Sequence, residues 1–79
     1  MELKCGMIVK SIAGHDKNRF YVVVAIKNER AYIADGKLRT VETPKAKNFI
    51  HLRKTKNIVE SESFKTNKQL RRVLHDYNY

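Results

Sequence analysis

Residues 13–19 are seven polar or small positions, and they run straight into seven apolar ones at 20–26. A short β-branched run bounded by turn residues reads as a strand, and Phe20–Lys27 is the clearest in the chain. Its alternate positions Val22, Val24 and Ile26 are expected to face inward, because the other set ends in charged Lys27. Upstream, residues 7–13 read as a first strand carrying Ile8, Val9 and Ile12. Gly14 stops it, since glycine takes positive φ where a chain turns sharply. Downstream, Asn28-Glu29 is a tight turn, and Arg30–Ala34 returns as a third strand with Ala31 and Ile33 inward. Asp35-Gly36 is a strong turn signal. The polar stretch 37–48 is broken by Pro44, which has no N–H for a sheet ladder. A fourth strand is expected over 48–52, with Ile50 and Leu52 on one face and Phe49 and His51 on the other. A short fifth is expected at 57–59.

The tail changes period. Leu70, Val73, Leu74 and Tyr77 fall on one helical face, with Lys68, Arg71 and Arg72 off that stripe. Thr66 stands three residues before Gln69, the spacing of a capping box, so an amphipathic helix is expected over 67–76. The expected layout is thus all strands within 1–60, a linker at 61–66, and helix and tail at 67–79. Five short strands joined by turns suggest a small curled antiparallel sheet, and closing it into a barrel would remove most exposed edges. A length of 79 residues allows one such domain.

Charge adds a direction. Seventeen Lys and Arg against eight Asp and Glu leave +9, which predicts attraction to polyanions. The excess is local. Between residues 36 and 57, Lys37, Arg39, Lys45, Lys47, Arg53, Lys54 and Lys56 face Glu42 alone. The partner surface is therefore expected in the middle of the chain.

The stretch GMIVKSIAGHDKNRFYVVVAI, residues 6–26, resembles a KOW motif, a strand–loop–strand unit with a glycine in its loop. That motif occurs in SH3-like barrels of ribosomal proteins and transcription elongation factors. The nearer likeness is to large-subunit ribosomal proteins of the L-fourteen-e type and their small bacterial relatives. Three pieces carry it: the G-x-I-V-x-S-x-A-G-x-D-K pattern over 6–17, A-D-G-K-L-R over 34–39 and K-N-F-I-H-L over 47–52. Where relatives often have a second glycine this chain has Asn18, the residue next most tolerant of positive φ, so the loop shape is expected to be kept. The resemblance implies a mainly β, SH3-like barrel of about five antiparallel strands with a C-terminal helix. It also implies binding of ribosomal or other structured RNA.

On that reading Ser11, Gly14, Asp16, Lys17 and Arg19 form the contact loop, mounted on the hydrophobic strand behind it. Asp16 cannot meet a phosphate directly; it either orients Lys17 or Arg19, bonds loop amides or a ribose hydroxyl, or simply forms the turn. Lys37, Arg39, Lys45 and Lys47 are expected as a second contact surface neutralising phosphates, joined by His51, Arg53 and Lys54. His51 is equally readable as a partly buried strand residue. Tyr21 and Tyr32 either stack on a base or pack within the sheet.

Other chemistry finds little support. Cys5 is a lone thiol, read as a small edge hydrophobe and suited to the reducing cytoplasm. His15, His51 and His75 lack metal-ligand spacing, and no phosphate-cradling glycine run or nucleophile elbow is present. No catalytic residue, metal or other cofactor is expected. The N-terminus lacks a signal-peptide core and no apolar run approaches the roughly 18 residues of a membrane span, so a cytoplasmic monomer is the expectation. The competing function is an SH3-like protein-interaction module docking an acidic partner from the transcription or translation machinery.

Overall fold

The computed structural model describes residues 3–78. Five antiparallel strands form one sheet in the order β4-β3-β2-β1-β5: β1 (Met7–Ser11), β2 (Phe20–Lys27), β3 (Arg30–Ala34), β4 (Lys45–Asn48) and β5 (Leu52–Ile58). The β2–β3 hairpin closes on Lys27 opposite Arg30, with Asn28 and Glu29 both left-handed at φ 52° and 62°. Such a two-residue turn matches the twist of its strands. The edge strands β4 and β5 are joined by a 3-10 turn, Phe49–His51. That turn advances only about 2 Å per residue, whereas a flat five-stranded sheet would hold its edges about 19 Å apart. The sheet must therefore curl until its edges approach, which gives the molecule its barrel-like form.

The curl encloses Met7, Val9, Tyr21, Val23, Ala31, Ile33 and Leu52, with Leu3 and Phe49 packed against them. The alternate positions Ile8, Val22 and Ala34 point the other way and meet Leu70 and Leu74. These two leucines lie on and just after α1 (Asn67–Val73), which is followed by the single turn α2 (His75–Asn78). Both faces of the sheet are thus buried at β1, β2 and β3, and a strand covered on both faces reads as a continuous apolar run rather than an alternating one. That is why residues 20–24 of β2 are apolar without interruption.

The tail is fastened as well as packed. Thr66 caps α1 in a full capping box with Gln69. Arg71 donates to the Gly36 carbonyl at 2.6 Å, and the Asn67 side chain accepts from Val41 N at 2.8 Å. The Asn78 amide accepts from Phe20 N at 2.9 Å and donates to Phe20 O at 3.1 Å. Gly36, at φ +80°, lies so close beneath α1 that a Cβ there would stand 2.3 Å from the Asn67 carbonyl oxygen. Among the described residues no helix is long and apolar enough to cross a membrane.

Several expectations need correction. β1 ends at Ser11, before Ile12, which is exposed. On β2 the residues inside the curl are Tyr21 and Val23; Val22 and Val24 instead face the helix, and Ile26 is exposed. A register shift between Val23 and Ala25 turns the end of that strand away from the core. No single strand covers 48–52. β4 ends at Asn48, the 3-10 turn carries the chain to the other edge of the sheet, and β5 runs from 52 to 58, so Leu52 is buried while Ile50 is exposed. The expected helix over 67–76 breaks at Leu74 into two pieces. The 61–66 segment contains a 3-10 turn, and Phe64 packs on the helix-side core. Cys5 is exposed.

Candidate nucleic-acid interface

The loop between β1 and β2 is closed at its base by two backbone bonds, Ser11 N to Arg19 O at 2.9 Å and Asn18 N to Ser11 O at 2.7 Å. Inside it, Lys17 N donates to Gly14 O and Arg19 N to Asp16 O. Gly14 at φ +85° and Asn18 at φ 74° supply the two left-handed residues that these successive turns require. Asn18 thus takes the positive φ expected of it.

Beneath the loop lies a buried ion pair. Lys47 Nζ, on β4, donates to Asp16 Oδ1 at 2.6 Å, to Ser11 Oγ at 2.7 Å and to Ala13 O at 2.8 Å. An ammonium has three protons, and all three are engaged. Ser11 Oγ in turn lies 3.0 Å from Asp16 Oδ1. Lys45 Nζ approaches the other carboxylate oxygen, Oδ2, at 3.6 Å. Burial opposes ionisation of Asp16, but the hydrogen bonds from Lys47 and Ser11 and the charges of Lys47 and Lys45 outweigh it. They hold its pKa down, at about 2 against an ordinary 3.8.

A second buried acid organises the neighbouring loop. Asp35 Oδ1 accepts from the backbone N of Lys37 and of Arg39, each at 2.9 Å, while Asp35 N and Gly36 N both donate to Arg39 O. Its Oδ2 takes Arg19 Nη2 at 3.3 Å. Tyr21 is buried close to both acids. Desolvation, and then the charges of Asp16 and Asp35, push its phenol up to about 12.

Beside these two acids, cations gather around two clefts. The first, about 340 Å³, is lined by His15, Asp16, Arg19, Tyr21, Leu38, Arg39 and Lys45. The second, about 390 Å³, lies against Gly14, Arg30, Lys45, Lys47, Asn48 and His51. Lys45 belongs to both, so the clefts flank one ammonium.

The residues singled out from sequence therefore divide. Gly14, Asp16, Arg19, Arg39, Lys45, Lys47 and His51 converge on the two clefts. Ser11, Asp16 and Lys47 are buried beneath the loop. Lys47, expected as a phosphate contact, is thereby engaged as the internal counter-ion that shapes it. Lys17, Lys37, Arg53 and Lys54 are exposed but line neither cleft. Of the two readings for Tyr21, packing holds, since it is 1% exposed; Tyr32 is half-buried. Sequence reasoning missed His15, Arg30 and Leu38. Arg30 gains its place only because β3 pairs it with Asn48 at the end of β4. Leu38 carried a signal, an apolar residue set between two cations in a turn. Among the described residues no group of three or more His, Cys, Asp or Glu is placed to hold a metal ion.

Comparison with models of known protein families finds no match to this chain, and comparison with curated proteins finds none either.

Proposed function

We propose that this chain is a non-catalytic RNA-binding module of the KOW type, associated with ribosomal or other structured RNA in the cytoplasm. The observation that carries this reading is the gathering of Arg19, Arg39, Lys45 and Arg30 along two adjoining clefts. Two of those cations are held directly by buried acids, Arg19 by Asp35 and Lys45 by Asp16. A cation already oriented loses little conformational freedom when a phosphate arrives, so less of the contact energy is offset by ordering. Arginine suits this role because its planar fork matches phosphate geometry and stacks on bases. The resemblance of residues 6–26, 34–39 and 47–52 to KOW proteins of the L-fourteen-e type points the same way. Lys17, Lys37, Arg53 and Lys54 extend the positive field around the clefts and strengthen attraction at longer range.

The test is affinity capture of the tagged chain from a cell lysate, with and without nuclease treatment. RNA should be recovered from untreated samples, and co-purifying proteins should be released by nuclease. Protein partners that persist unchanged after nuclease, with no RNA recovered, would favour docking of an acidic protein instead.

A further inference from the structure

The first cleft has features that phosphate neutralisation does not require. Leu38 is 67% exposed at its wall, between Lys37 and Arg39. Tyr21 contributes a buried aromatic surface, and Arg19 lines the cleft with its guanidinium held by Asp35. Asp16 Oδ2 is buried beneath the cleft and pairs with Lys45 Nζ at 3.6 Å, which keeps that ammonium beside the cleft. A groove that met only the sugar-phosphate backbone would leave the apolar wall without purpose.

We propose that this cleft takes one unstacked nucleotide, with its base inside and its phosphate on the rim. The inference rests on the RNA-binding reading and deepens it by naming single-stranded RNA, or a splayed-out base in a structured RNA, as the ligand of this site. The base lies between the Leu38 side chain and the Arg19 guanidinium, since bases released from a helix stack on apolar and guanidinium surfaces. The phosphate attached to that nucleotide draws Lys45 and Arg39. The volume, about 340 Å³, lies at the low end of the range of about 300–1,000 Å³ for small-ligand sites, which suits a single nucleotide rather than a run of bases.

The experiment is a titration of the isotopically labelled full chain, followed by backbone amide shifts. Four probes are used in parallel at low salt: adenosine 5′-monophosphate, inorganic phosphate, a single-stranded oligoribonucleotide, and a blunt RNA duplex. The nucleotide and the single strand are expected to shift residues 15–21 and 38–39, and inorganic phosphate much less. The Leu38→Ala variant should weaken the single strand by about fivefold or more, the lower end of what one base contact is worth, and leave the duplex unchanged. Because Leu38 is exposed, the variant should fold normally. If phosphate alone reproduces the nucleotide's shifts, or if Leu38→Ala leaves the single strand's affinity unchanged, the base pocket is overturned while duplex binding still supports the RNA reading. If neither single strand nor duplex shifts any amide, both readings fall together.

Discussion

Lys47 Nζ and Asp16 Oδ1 meet at 2.6 Å beneath the β1–β2 loop, although the two residues stand 31 apart in the chain. The contact ties the loop to an edge strand that reaches it only after the sheet has curled. Removing one partner of a buried pair strands the other charge, at a typical cost of about 3–5 kcal/mol. Lys47→Met should therefore lower the urea midpoint sharply, in a chain whose whole stability is about 4–12 kcal/mol by size. The double variant Lys47→Met with Asp16→Asn should recover much of the loss, because no uncompensated carboxylate remains. Additive losses in that double-mutant cycle would show that the pair is not coupled.

The same pair makes stability depend on acid. Asp16 has its pKa lowered from 3.8 to about 2, so the folded state favours its charged form. Its contribution is complete above pH 3.8 and is lost as the pH falls towards 2. The shift corresponds to about 2 kcal/mol. Chemical denaturation at pH 5 and at pH 2 should differ by more in the wild type than in Asp16→Asn.

Tyr21 acts at the other end of the pH scale. Its phenol is raised from 10.0 to about 12, so the unfolded chain releases this proton first and stability falls as the pH rises from 10 towards 12. An ultraviolet difference titration of the folded wild type against Tyr21→Phe should place the missing phenolate well above pH 10. A difference midpoint at 10 would contradict the burial of the hydroxyl.

RNA affinity should fall steeply with salt. If four to six phosphates are neutralised, the slope of log K against log salt should be roughly −3 to −5. Lys37→Ala with Arg39→Ala should leave folding within about 0.5 kcal/mol per site and make the slope shallower by about one for each lost contact. A slope near zero in the wild type would remove the electrostatic basis of the proposed function.

The C-terminal helix should contribute heavily to stability. Leu70→Ala opens a hole against Ile8, Val22 and Ala34, at an expected cost of about 2–5 kcal/mol. Truncation after Glu60 removes Phe64, Leu70 and Leu74 together. The shortened chain should keep a β-type circular dichroism signal, with a much lower denaturation midpoint and new binding of a hydrophobic dye. An unchanged midpoint would mean that the helix merely rests on the sheet.

Local chemistry was legible from the residues alone. Phe20–Lys27 is a strand because it is β-branched and bounded by turn residues, and Asn28-Glu29, Gly14 and Gly36 mark turns because of the φ values they adopt. The capping box at Thr66 and Gln69 and the apolar stripe of the helix follow from fixed spacings. The basic centre of the chain was likewise plain from charge alone. Only the tertiary structure decided which face of β2 fills the curl, since a run apolar on both faces carries no preference until the helix covers one of them. It also divided the lysines. Lys45 and Lys47 are two apart on one strand, the same residue type in the same basic stretch. Lys45 keeps a third of its side chain in solvent, whereas Lys47 is buried at 7%. Nothing within that stretch distinguishes them, because the acid that draws Lys47 inward belongs to a loop brought over it by the curl of the sheet.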